Sequence, residues 1–257
     1  KLYCGACRNS RLADKPALFA FLREAYPGRW QYKFPERWEW QFVHNPFRDP
    51  AGLPIRIALD EATGAVVGQS CAFYEPLQLG AQIHRLAWGV DFYVLPAYRG
   101  QGLGARLQAA NHAAHELFMS LSMAEAAHRI KKSLGMNNLT PVPVYTRIIF
   151  HDPDSVLATL EKKPGPLKEV ARPLQAHRWL ARLLSARERW RDRASRRARL
   201  DPTLTLTEVE RFDEQATALW ERIGPRFQAA IRRDAAFLDW KYVEQPHVQY
   251  TRLLAHR

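Results

Sequence analysis

Apolar residues recur along this chain with two periods, and the switches between them mark its elements. In DKPALFAFLREAYP, Asp14 to Pro27, the spacing is helical and predicts a helix over about 15–25. A Trp/Phe-rich segment, Trp30 to Phe47, runs into the loop NPFRDPAGLP. IRIAL (Ile55 to Leu59) reads as a strand and DEATG (Asp60 to Gly64) as a hairpin turn. AVVGQSCAFY (Ala65 to Tyr74) returns as the next strand, and QIHRLAWGVDFYVL (Gln82 to Leu95) is a third. Strands joined by such short turns predict an antiparallel meander. After the glycine-rich YRGQGLGA comes a predicted helix, Leu103 to Phe118. A short strand (Ser120 to Ala124) and a helix ending at the Gly135 cap (Glu125 to Gly135) follow, then strand-like Thr140 to Phe150.

A second register overlies the first. WEWQFVHNPF (Trp38 to Phe47) and LDWKYVEQPH (Leu238 to His247) share acid-Trp-x-aromatic-Val-x-x-Pro, with Trp40 and Trp240 two hundred positions apart. Upstream, EQATALWERIGPRF (Glu214 to Phe227) matches the helical pattern of Asp14 to Pro27 without a gap, and LTLTEVERF (Leu204 to Phe212) falls opposite Cys4 to Leu12. This spacing predicts duplication of a whole domain. The expected division is a complete domain over 1–150, a basic helical connector over 151–202, and the opening part of a second similar domain over 203–257. Glu39-Trp40 and Asp239-Trp240 recur in both copies, which points to a structural role.

The connector differs in composition. KKPGP (Lys162 to Pro166) breaks the chain. Gln175 to Arg199 is then helical in pattern, with Trp179, Leu180, Leu183, Leu184 and Trp190 to one side. From Arg172 to Arg199, ten Arg against Glu188 and Asp192 carry +8 of the chain's net +12. Two readings follow. The helix binds a polyanion, RNA or an anionic membrane. Or it is an interdomain arm with its Trp/Leu stripe packed and its Arg in water; this second reading is the expectation.

Composition narrows the class. Hydrophobic residues make up 47% and aromatics 11%, enough for a packed core. No apolar run spans a bilayer and no charged-then-apolar leader opens the sequence, so the expectation is a cytoplasmic protein. Cys4, Cys7 and Cys71 are too few for a disulfide framework. Cys4-x-x-Cys7 lacks two further zinc ligands, and His112 with His115 lacks a third, so no metal is expected.

The glycine turn carries the chemistry. A triphosphate loop needs Lys-Ser or Lys-Thr after its glycines, and none follows. A dinucleotide fingerprint is met in letters by Gly100, Gly102 and Ala105, but the strands before it are hairpin-connected rather than parallel. The third candidate is R-x-x-G-x-G: Arg99, Gly102 and Gly104. Such a turn offers successive backbone N–H groups at a helix N-terminus to a pyrophosphate, with Arg99 adding charge.

FYVLPAYRGQGLGARL resembles the acetyl-CoA motif of the GCN5-related N-acetyltransferase (GNAT) superfamily, and the element order over Leu2 to Phe150 is similar too. The resemblance implies an α/β fold of the α+β type: a mixed, mostly antiparallel central sheet flanked by helices. It implies acetyl-CoA as co-substrate, with pantetheine on the backbone of Phe92, Tyr93 and Val94. The pyrophosphate would lie on Arg99, Gly100, Gln101, Gly102, Leu103 and Gly104. It implies transfer of an acetyl group to an amine by direct attack in a ternary complex, the acceptor a small molecule or polysaccharide precursor. Alternatives are an aminoacyl-tRNA-dependent transferase built from tandem domains of this kind, or a non-catalytic protein that senses coenzyme A or binds a polyanion; nucleic acid is the lesser partner.

Direct attack needs a base for the amine and an acid for the leaving thiolate. Asp91, on the strand beside the expected thioester, is the candidate base, with His84 second. The family's acid is often a Tyr four residues before Gly-Phe; here Gly135-Met136 stands there, and Lys131 fills the Tyr position. The usual Asn at that helix start is Ala124. Tyr145, on a late strand, is the substitute candidate.

Overall fold

The computed structural model describes residues 7–121, 123–139, 151–161, 175–196 and 203–256. The predicted strand Thr140 to Phe150, with Tyr145, lies outside them, as do Cys4 and the KKPGP break. The chain forms two compact units: Lys1–Asn138 with Glu208–Leu254, and Leu139–Thr207 with Ala255–Arg257.

The first unit is built on a mixed sheet. β1 (Cys7–Asn9), β2 (Ile55–Leu59), β3 (Val66–Leu79) and β4 (Gln82–Val94) pair antiparallel in that order, and β5 (Leu117–Met119) joins β4 in parallel. The alternating pattern was legible, and β3 runs five residues past the predicted Tyr74. Helix α1 (Lys15–Ala25) matches its prediction. Leu18, Phe21, Leu22 and Ala25, spaced i, i+3, i+4, i+7, are its buried face. They share one core with Ile55, Ile57, Val67 and Cys71 of the sheet and with Leu103 and Leu107 of α4 (Leu103–His112). Each large side chain buried there stabilises the fold by roughly 1.5–3 kcal/mol.

The aromatic segment is neither strand nor one helix. It forms α2 (Trp30–Lys33), α3 (Glu36–Trp38) and a π-turn, Glu39–Val43. Asn45 of the following loop is buried; its amide donates to the Tyr74 carbonyl at 2.9 Å and its side-chain oxygen accepts from Phe47 N at 2.8 Å.

Helix α4 corrects the sequence reading. It stops at His112 rather than Phe118, and Leu117–Met119 is already strand β5, ahead of the predicted Ser120. The helical pattern of these residues yields to pairing with Leu86, Ala87 and Trp88 of β4. Asn111, fully buried, donates to Ser70 Oγ at 2.9 Å, and its side-chain oxygen lies 3.3 Å from His115 Nε2. His115 is thus half-buried against Tyr74, and burial lowers its pKa to about 4. Helix α5 (Glu125–Ser133) closes this side.

Residues 208–254 lie in the same unit. Strand β6 (Thr205–Glu208) leads into them, and they supply α8 (Glu214–Ile223), β7 (Ala229–Ile231) and α9 (Ala235–Tyr242). β7 adds to the far end of β3, opposite Leu77–Leu79. The two repeat tryptophans meet: the Trp40 and Trp240 rings stack at 4.8 Å. Each indole donates to the other's backbone carbonyl, Trp40 Nε1 at 2.8 Å and Trp240 Nε1 at 3.2 Å. The repeat in the sequence is therefore a reciprocal contact in space. The acids beside these tryptophans are structural as well: Glu39 pairs with Lys15, and Asp239 with Arg211.

In the second unit α6 (Pro153–Glu161) packs on α7 (Ala176–Arg196). The buried side of α7 carries His177, Ala181 and Ser185, and Ser185 Oγ accepts from His151 N at 2.8 Å. The expected packed stripe is only partly packed: Leu184 is half-buried and Leu180 37% exposed. Trp179, Leu183 and Trp190 are 65–71% exposed, because small side chains permit the close approach to α6 and the bulky ones point away from it.

Candidate active site

A cavity of about 1200 Å³ opens within the first unit. Its origin is a strand separation. β4 and β5 pair only from Leu86↔Leu117 to Trp88↔Met119. Beyond that, Gly89 to Val94 line one wall and Ser120, Leu121, Met123 and Ala124 another.

A bulge sharpens the separation. Gln69 pairs with Tyr93 and Cys71 with Val90, so Asp91 and Phe92 together oppose Ser70. Asp91 takes φ 45°, and its carbonyl accepts from Gln69 Nε2 at 3.1 Å. The bulge leaves the Asp91 side chain lining the cavity, where Lys33 of α2 pairs with its carboxylate. Both side chains are about four-fifths buried, at 22% and 19% exposure. Lys33 was missed in the sequence; it stands fifty-eight positions from Asp91, and no local pattern announces such a pair.

The glycine turn forms one end. Gly100 and Gly102 have φ 78° and 74°, and Gly102 is the residue before α4. Only glycine takes this backbone without strain. A Cβ built at either meets no atom within 4 Å, so the space above the turn is open. The first α4 amides are free of intrahelical partners there, with the positive end of the helix dipole behind them. Arg99 Nε donates to the Val94 carbonyl at 2.8 Å, and its guanidinium lies 5.1 Å from the Tyr93 ring centre. Of the sequence candidates, Phe92, Tyr93, Val94, Arg99, Gly100, Gly102, Leu103 and Gly104 all line this one cavity; Gln101 does not. His84 is also absent from the lining and pairs opposite Leu77.

Lys131 enters the wall at the strand separation. Its ammonium donates to Ser120 Oγ at 2.6 Å and lies 5.1 Å from the Phe118 ring centre. The side chain fits because β4 offers a glycine: a Cβ on Gly89 would come 2.5 Å from Phe118 Cζ and 3.3 Å from Lys131 Nζ. Lys131 is 6% exposed, and desolvation lowers its pKa to about 8. The sequence marked this position only as a departure from pattern. Cys71, also in the wall, is held as thiol by burial.

The opposite end is aromatic and basic. Arg37, Trp40, Gln41 and Phe73 line it together with Lys241, Gln245 and Tyr250 from the second repeat. Lys241 pairs at 2.7 Å with Glu75, which is buried. Among the described residues no group of three or more His, Cys, Asp or Glu gathers to hold a metal.

A model of the acetyltransferase (GNAT) family matches residues 15–136. Comparison with curated protein sequences gives no match. Solved structures similar to this chain include an acetyltransferase from Trypanosoma brucei, 17% identical over 55% of this chain and 99% of its own, with TM-score 0.40. Another is glucosamine-6-phosphate N-acetyltransferase from Arabidopsis thaliana, at 12% identity, 55% and 97% coverage, and TM-score 0.38. A third is the aminoglycoside N-acetyltransferase AAC(6')-Iy with coenzyme A, at 15% identity, 55% and 93% coverage, and TM-score 0.41.

Proposed function

Residues 15–136 form a domain of the GNAT acetyltransferase family, and on that premise we propose that the cavity binds acetyl-CoA and passes its acetyl group to an amine. The observation that carries this reading is the coincidence, in one cavity, of the β4–β5 separation with the open glycine turn before α4. Pantetheine amides would add to the unpaired edge of Phe92, Tyr93 and Val94 as a strand would. The pyrophosphate would take the turn's backbone N–H groups and the N–H groups of Arg99 that Val94 leaves over. The acceptor, a small-molecule or polysaccharide-precursor amine, would enter from the aromatic end.

In this reading Asp91 receives the amine proton through water, held in place by Lys33. The acid is Lys131 rather than Tyr145: its ammonium stands at the strand separation, where the acyl sulfur would lie, and titrates close to working pH. The amine attacks the acyl carbon, the C–S bond breaks, and the thiolate takes its proton from Lys131.

Acetyl-CoA titrated by calorimetry against wild type and Gly102→Glu tests the reading. Glutamate places a side chain and a negative charge over the open turn, and binding should weaken at least a hundredfold. Absence of wild-type binding at millimolar acetyl-CoA refutes the proposal. Binding without thiol release across an amine panel leaves a sensor of coenzyme A.

A further inference from the structure

The face of α7 opposite α6 has a composition that water does not favour. At 100° per residue, Trp179, Leu183, Ala186 and Trp190 fall within an arc of about 60°. Trp179, Leu183 and Trp190 are 65%, 68% and 71% exposed. Arginines rim this stripe on both sides: Arg178, Arg182 and Arg189 along one edge, Arg187 and Arg191 along the other. The Arg182 guanidinium already lies over the Trp179 ring at 5.4 Å. The acid among these residues, Glu188, sits toward the α6 side with its side chain 19% exposed and pairs with Arg191. The helix spans about 30 Å, far too charged to cross a bilayer, and no described helix is long and apolar enough to do so.

We propose that α7 is an interfacial helix that lays its Trp179/Leu183/Trp190 stripe into the surface of an anionic membrane. The charge pattern chooses the occupant. Indoles sit at the headgroup level, Leu183 reaches the acyl boundary, and the rim arginines extend upward to lipid phosphates. A nucleic acid would be met by arginines at the centre of the face, with phosphates along them, rather than by an apolar centre. A second copy packed on the same stripe would set two arginine rims against each other.

The test uses the whole chain with phosphatidylcholine vesicles, plain or containing phosphatidylglycerol. Co-sedimentation should be at least tenfold stronger with the anionic vesicles, and tryptophan fluorescence should shift to the blue on binding. Trp179→Ala with Trp190→Ala should abolish both effects while thermal unfolding stays unchanged, since these side chains are exposed. Arg182→Gln and Arg187→Gln should each weaken binding about fivefold. Equal or absent binding to the two vesicle types overturns the proposal, as does binding that survives the double tryptophan change. Vesicle binding absent while an RNA homopolymer is retained overturns it in favour of nucleic acid. A dimer in sedimentation velocity that the tryptophan changes dissolve, without vesicle binding, overturns it in favour of self-association.

Discussion

Lys131 is the residue on which stability and chemistry oppose each other. Its ordinary value of 10.5 falls to about 8 through burial. Below pH 8 the folded and unfolded chains both carry the proton, and the fold bears the full cost of a buried ammonium. Between 8 and 10.5 the unfolded chain binds more protons, so stability rises with pH across that window. Lys131→Met removes the charge and keeps the bulk. It should stabilise the protein by roughly 2–4 kcal/mol at pH 7, and the gain should vanish by about pH 10.5. Urea unfolding at both pH values checks this; an equal gain at both would mean that the cost is steric. If Lys131 is the acid, wild-type turnover falls as pH rises through about 8, and the Met variant loses that limb along with about 10²–10⁴ of its rate. Much of the cavity's lining was legible at this scale. The glycine positions and the Phe92–Val94 edge follow from local pattern. Lys33 and Lys241 do not, because their contacts, with Asp91 and Glu75, reach across 58 and 166 positions of chain, which no periodicity encodes.

Among elements, the paired tryptophan helices make the sharpest claim. Trp40 and Trp240 stack, and each satisfies the other's carbonyl while both are buried. Replacing either by Ala should cost about 3–5 kcal/mol. The double variant should cost less than the sum by about 1–3 kcal/mol, since the first change already removes the ring stack, while each change removes only its own indole's hydrogen bond to the other's backbone carbonyl. Chemical denaturation of the four proteins closes the cycle, and strict additivity would mean that the rings merely fill space. The repeat marked these residues as structural, yet their contact was invisible in it: a repeat implies two similar folds, not that they clasp one another. The same limit explains α4 and α7. Helical pattern over Leu103 to Phe118 could not register that Leu117–Met119 is wanted by β4. On α7 the pattern located an apolar stripe correctly, but burial of a face is decided by what lies opposite, and α6 takes the small-residue side.

At the scale of the molecule the chain order and the compact units disagree. Residues 208–254 share a unit with 1–138, while the arginine-rich segment between them belongs to the other unit. Covalent continuity through 139–207 is therefore not what holds the first unit together. Its two pieces are joined by β7 on β3, by the Trp40–Trp240 clasp, by Lys241 on buried Glu75, and by Trp220 Nε1 donating to Gln78 at 3.0 Å. Trypsin favours exposed arginines, and α7 presents Arg178, Arg182, Arg187, Arg189 and Arg191. Brief digestion should cut there first. The two large products should then co-elute in size exclusion and separate only in denaturant, because removing one would expose the buried Glu75 and both indoles to uncompensated loss. Acetyl-CoA binding should survive the cut, since Lys241, Gln245 and Tyr250 stay in place beside the cavity. Products that part in native buffer would show that the second repeat rests on the first only through the tether, and the clasp would lose its energetic meaning.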